Sequence, residues 1–187
     1  MPKWEKRRLK LKKNHGWTSE PGCHVFVADR GAVRFDILRG WVIEPGEKGS
    51  IKLMDRTPPD DDGTMEMSIF YLNDQIDWTN LKVATLVEEI GHKDDPENPV
   101  EVLERLEMQT FERDGMTAAW CGKLYIDAET GREACSRILV ARKWNIQPLF
   151  TYAYWADDQG DLSKAWDVLL KTLILGDYVE DPTQRVF

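Results

Sequence analysis

From Met116 to Ile126 the chain alternates. Met116, Ala118, Trp120, Gly122, Leu124 and Ile126 hold the even positions, and Thr117, Ala119, Cys121, Lys123 and Tyr125 the odd ones. One face is apolar and the other mixed, the period-two pattern of a half-buried strand. Arg113-Asp114-Gly115 before it and Asp127 to Gly131 after it carry the turn chemistry that hairpins require. The stretch Val102–Asp157 therefore reads as consecutive antiparallel strands that the rest of the chain covers. Within Val100–Glu112, Leu103 and Leu106 suit a helix, whereas Leu106, Met108 and Thr110 suit a strand. The turn at Arg113–Gly115 tips the reading to a strand. Glu133–Arg142 is a strand of mixed character. Asn145–Trp155 is apolar on both faces, as expected where layers cover both sides of a sheet. Pro148 has no N–H to give and predicts a bulge or an unpaired edge at that point.

Upstream, His24–Ala28 and Val33–Leu38 bracket Asp29-Arg30-Gly31-Ala32 as a hairpin, with Val33, Phe35 and Ile37 on one face. Ile51–Met54 is a short strand. Thr57–Gly63 is a loop, because two prolines remove donors and three carboxylates repel one another. Thr64–Leu72 resumes as a strand. At Asn73 the period changes. Val83, Leu86, Val87 and Ile90 make an apolar helical stripe, with Asp77 or Thr79 as N-cap and Gly91 as a left-handed C-cap. A second helix starts at Asp161. Its Leu162, Ala165, Trp166, Leu169, Leu170, Leu173 and Ile174 form a wide stripe that ends at Gly176. No βαβα alternation occurs. The expected fold is α+β: an antiparallel sheet of about six to eight strands, in hairpins and a meander, covered by helices near 78–90 and 162–175.

The 187 residues suit one domain, since domains run to roughly 100–200 residues. Residues 1–22 read as a basic arm or edge strand, 23–180 as the α+β domain and 181–187 as a tail. Charge is uneven. Lys3, Lys6, Arg7, Arg8, Lys10, Lys12 and Lys13 stand against Glu5 alone in residues 1–14, a local +6. The formal net charge of −8 less this +6 leaves −14 on the remainder. An acidic body argues against non-specific nucleic-acid binding, and a short arm offers few phosphate contacts. Cys23, Cys121 and Cys135 are odd in number and lack CxxC spacing, which points to half-buried thiols in a reducing compartment. No apolar run is long enough for a membrane span, and the charged N-terminus has no following apolar segment, so the expected location is cytoplasmic.

The element order resembles the PsbP/DcrB-like group, which also includes a Ran-binding nucleotide-release factor. The resemblance rests on Asp36-Ile37-Leu38-Arg39-Gly40-Trp41 after the first hairpin. It also rests on Phe150-Thr151-Tyr152-Ala153-Tyr154-Trp155 followed by Trp166-Asp167-Val168-Leu169-Leu170. It covers about residues 24–176 and implies a fold and a tendency toward protein-binding roles, with no activity attached.

Candidate chemistry is sparse. Asp60-Asp61-Asp62-Gly63 lacks the alternating ligands and closing Glu of a calcium loop and reads as a solvated loop. His92, Asp94 and Asp95 contain one imidazole beside a helix C-terminus, where a dipole-compatible cap is the simpler role. Cys121 with His24 would make a nucleophile–base pair only if the fold joined them. No GxSxG, glycine-rich phosphate loop or HExxH occurs, so no catalytic residue, metal site or cofactor is expected. The eight tryptophans remain. Trp41, Trp78, Trp120, Trp144 and Trp155 are the candidate partner-binding surface. The expectation is a non-enzymatic protein-binding or scaffold module using an aromatic face or a sheet edge, its partner another protein or a second copy. The alternative is a small-ligand-binding domain or hydrolase whose pocket gathers Asp36, His24 and Arg137. No particular small molecule is identifiable.

Overall fold

The computed structural model describes residues 16–91 and 100–178. Most of the expected basic arm, the C-terminal tail and the His92, Asp94 and Asp95 group lie outside the described residues. The fold is α+β and antiparallel throughout, in the order β1 (Cys23–Ala28), β2 (Val33–Leu38), β3 (Val42–Pro45), β4 (Ile51–Met54), β5 (Gly63–Tyr71), α1 (Val83–Gly91), β6 (Glu101–Arg113), β7 (Met116–Ile126), β8 (Glu133–Arg142), β9 (Ile146–Trp155), α2 (Gln159–Thr172) and β10 (Ile174–Leu175). The strands form two sheets where the sequence suggested one. Seven pair as β3-β4-β5-β9-β8-β7-β6, and three as β1-β2-β10.

Turn chemistry sets the registers. Between β6 and β7, Arg113 pairs with Met116, so Asp114 and Gly115 alone make the loop. Both have positive φ, 50° and 75°, as the type I′ hairpin turn requires. Pro148 pairs with Ile69 on the β5 side, while the β8–β9 ladder stops at Val140 and Leu149. The missing N–H therefore sits where β8 no longer asks for it.

The main core lies between α2, the small sheet and one face of the large sheet. Trp166, Phe35, Phe150, Tyr152, Leu139 and Leu169 are among its fully buried side chains. Phe35 of β2 meets Phe150 of β9 edge-on at 5.5 Å, which ties the two sheets together. A smaller core lies on the opposite face, where Val83 and Val87 of α1 pack on Ala119, Cys121 and Val140. The odd positions of β7 are therefore not simply a wet face: small side chains there admit a helix.

Both helices differ from their expected spans. Asp77 accepts from the Thr79 N–H and hydroxyl at 2.9 and 2.6 Å, an Asx turn that precedes α1 instead of capping it. Gly91 is helical and does not take the left-handed conformation of a cap; a Cβ there would stand 2.6 Å from Cys121 Sγ. At the far end of α2, Ile174 and Leu175 leave the helix and pair with Arg34 and Val33 of β2. Arg113 from β6 donates to the carbonyls of Leu170, Lys171 and Leu173 at 3.0, 2.8 and 2.7 Å. A cation from another element thereby satisfies the orphan carbonyls of the helix end.

Candidate functional site

A groove of about 1210 Å³ opens between the Asp74–Lys82 segment, the start of α1, the β6–β7 strands and the β8–β9 turn. Its wall is a loop that structures itself. Asn73 accepts from the Gln75 N–H and the Trp78 indole N–H, both at 2.9 Å. Arg142 then pins this loop to the sheet. It donates to the carbonyls of Trp78 and Leu81 at 2.9 and 2.6 Å, and to Gln147 at 2.8 and 2.6 Å. Its charge is thus spent on the framework, and partial burial lowers its pKa. Phe111, Thr117 and Ala118 contribute to the lining, and Asp74, Asp77 and Glu112 supply carboxylates. The two donors from Thr79 hold Asp77 below its ordinary carboxylate range.

Trp144 stands at the tip of the β8–β9 hairpin, with Lys143 and Ile146 exchanging both backbone bonds at 3.1 and 3.0 Å. Its φ is 54°, a left-handed conformation that suits Gly or Asn. Its side chain is 68% exposed. The ring rests on Gly176, where a Cβ would stand 2.5 Å from Trp144 Cζ3, and Lys143 Nζ lies 4.7 Å from its centroid. Exposed apolar side chains gather nearby. Ile76 lines the same groove, and Tyr71 at the end of β5 pairs across to Ile146. The Tyr71 hydroxyl donates to Asp29, and burial, followed by that carboxylate, pushes the phenol pKa well up. Tyr178 is exposed beside it.

The other tryptophans are dispersed. Trp41 lies half-buried 6.1 Å from Tyr152 and lines a second cavity of about 670 Å³. In that cavity Arg56 pairs with Asp55 and Asp62. Trp120 packs against Trp166 at 5.8 Å, with the Arg137 guanidinium 5.7 Å from its ring. Trp155 carries Arg132 at 4.4 Å. Of the five candidate tryptophans, the structure brings Trp78 and Trp144 into one groove and leaves Trp41, Trp120 and Trp155 apart.

The converging pocket expected of the alternative reading is not assembled. His24 is exposed on β1. Asp36 is buried on β2 and accepts from the Glu20 N–H at 2.6 Å. Arg137 sits on the other sheet, 5.5 to 5.8 Å from Trp120, Tyr154 and Trp166. Cys121 is buried beneath α1, on a different sheet from His24. The Asp60–Asp62 loop is self-satisfied, with Asp61 accepting from Thr64 and Asp62 paired to Arg56. Among the described residues, no group of three or more His, Cys, Asp or Glu side chains is placed to hold a metal ion. Ile76, Phe111 and Arg142 are the site residues that sequence reasoning missed. The signal for them was weak: Ile76 lies in a loop, and Arg142 reads as one more charged strand residue.

Residues 24–179 match the sequence model of the Alr1449 family. The chain belongs to the Alr1449 family. It is 36% identical over 181 residues to alr1449 of Nostoc sp. strain PCC 7120, an uncharacterised protein, across 96% of this chain and 91% of that one. Among solved structures, cyanobacterial PsbP (CyanoP) from Synechocystis sp. PCC 6803 has a TM-score of 0.58 at 13% identity, over 89% of this chain and 98% of that one. LpqN of Mycobacterium tuberculosis, involved in cell envelope biogenesis, has 0.51 at 10% identity, over 82% and 90%. A Bacteroides thetaiotaomicron structure has 0.56 at 13% identity over 82% of this chain, which spans only 48% of that protein. At such identities the likeness shows the fold alone, so this Alr1449 family chain has a PsbP-like α+β fold.

Proposed function

We propose that this Alr1449 family member is a non-enzymatic protein-binding module. It takes an apolar segment flanked by basic residues into the groove between Trp78 and Trp144. The observation that carries the reading is Trp144. A left-handed position at a hairpin tip costs an indole on the order of 1 kcal/mol or more, yet the ring it holds is mostly exposed. Strain spent on displaying an aromatic side chain points to a contact made outside the chain, and aromatic anchors dominate binding energy at interfaces. Ile76 and Phe111 extend the apolar surface, while Asp74, Asp77 and Glu112 favour cations at its margin.

The test is selection of random peptides on the full chain. Enriched peptides should carry an aromatic or large aliphatic residue flanked by Lys or Arg, and should lose at least tenfold in affinity against Trp144→Asn. Peptides that bind Trp144→Asn equally well, or a selection that enriches nothing, would overturn the proposal.

A further inference from the structure

Beside α2, two side chains in contact each bury an N–H that nothing accepts. Among the described residues, Arg34 Nε, Arg137 Nε and Trp166 Nε1 are buried without a hydrogen-bond partner. The charge of Arg34 is answered by Asp177 at 2.9 Å. No carboxylate among the described residues pairs with Arg137, although Asp167 of α2 bears on its neighbour Tyr154. The guanidinium lies instead among aromatic rings, 5.7 Å from Trp120, 5.5 Å from Tyr154 and 5.8 Å from Trp166. Ring faces attract a cation but leave its N–H groups without a directional acceptor, and a buried N–H without one is costly. Trp166 is fully buried, so its indole N–H cannot turn to solvent either. Gly122 of β7 makes room for the arrangement: a Cβ there would stand 3.1 Å from both Arg137 Cγ and Leu106 Cδ1. Leu106, Trp120 and Leu124, partly buried at the edge of the main core, form an apolar rim. Arg137 is itself half-buried, so a molecule from solvent can reach the guanidinium.

We infer that this cluster binds a small monocarboxylate with an apolar body. It is a second site, since Arg137, Trp120 and Trp166 all lie outside the lining of the groove. A carboxylate brings two oxygens to match the fork of the guanidinium and has lone pairs to spare for the Trp166 N–H. One guanidinium balances one negative charge. A phosphate dianion would bring a second charge into a partly dry aromatic setting that holds no second cation for it. The apolar body of the ligand covers Gly122 and packs on Leu106, Trp120 and Leu124.

The test titrates octanoate into the full chain, read by proton–nitrogen NMR of the Arg137 Nε–H and the Trp166 indole N–H, assigned from Arg137→Lys and Trp166→Phe. Both resonances should shift together and saturate with a Kd below about 1 mM, while the Trp144 indole stays in place. Octanol, which has the apolar body without the charge, and inorganic phosphate should each bind at least tenfold more weakly. Arg137→Lys keeps the charge but loses the fork, and should weaken octanoate at least fivefold; Arg137→Gln should weaken it at least tenfold. Circular dichroism checks that both variants fold, and the ranking of the three probes on the unsubstituted chain decides the matter without them. Octanol binding as tightly as octanoate would reduce the cluster to an apolar patch and sink the inference. Phosphate binding as tightly would refute the carboxylate class. Octanoate binding that survives in a folded Arg137→Lys and Arg137→Gln would take the guanidinium out of the site. No saturable shift with any probe would leave Arg137 a brace of the core, and the inference would fall.

Discussion

Trp144 sets two local terms against each other. Its positive φ costs more for an indole than for asparagine, by about 1 kcal/mol. The third of its surface that is covered, chiefly against Gly176, contributes on the order of 1–2 kcal/mol. Replacement by Asn loses the second term and relieves the first. Trp144→Asn should therefore lie within about 1 kcal/mol of the parent chain in urea unfolding, so that its loss of peptide binding reports on recognition and not on folding. Gly176→Ala is expected to behave differently. It forces a Cβ into the ring and strains a backbone at φ 71°, so it should destabilise by about 1–3 kcal/mol and displace Trp144 as well. At the groove margin, Asp77 titrates below its usual range because Thr79 donates to the ionised carboxylate. Its linked stabilisation is present above the unfolded midpoint, near ~3.9, and is lost as pH falls through the folded one. Thr79→Val removes one of the two donors, so a carbon NMR titration should show the Asp77 midpoint rising.

At the scale of elements, the apolar stripe of α2 was plain in the sequence, but which of its leucines matter most was not. Leu169 is 1% exposed, facing the core, whereas Leu170 is only half-buried at the edge of the cluster. The periodicity treats the two alike, and only the helix's rotation against β2 and β9 separates them. Leu169→Asp should unfold the chain, since an unpaired buried charge costs several kcal/mol, while Leu170→Asp should leave a folded protein with a lowered melting temperature. Circular dichroism distinguishes the outcomes. The strands were legible to within a residue or two wherever turn residues flanked them, as at Asp114-Gly115. The end of α2 was not, because its limit is set by distant partners: Arg113, which takes its last carbonyls, and β2, which pairs with Ile174 and Leu175. Arg142 is a further long-range determinant. Arg142→Met removes the donors to Trp78 and Leu81, so amide exchange should quicken across 73–82 while β8 and β9 stay protected.

For the whole molecule, aromatic content was visible in the sequence and its grouping was not. Trp78 and Trp144 are 66 positions apart, and nothing local says that a self-structured loop and a hairpin tip share one groove. The sheet edge, the other surface considered for a partner or a second copy, is the weaker candidate on physical grounds. β6 is a long edge strand, but its register shifts between Val102 and Glu104 and again between Leu106 and Gln109, and Glu101, Glu104, Arg105 and Glu107 are exposed along it. Bulges and edge charges are the devices that keep sheet edges from pairing. At the opposite edge, β3 has four residues and ends at Pro45, which has no N–H to offer a neighbour. Two-sided protection of this kind predicts that the full chain runs at the mass of one copy in light scattering at about 100 µM, in the upper range where exposed edges and apolar patches draw chains together. A dimer would overturn that expectation, and the substitutions then identify its surface. If Trp144→Asp restores one copy, the copies meet through the groove. If only charge removal at Glu104 and Glu107 changes the mass, they meet through β6, and the edge has to be reconsidered as the binding surface.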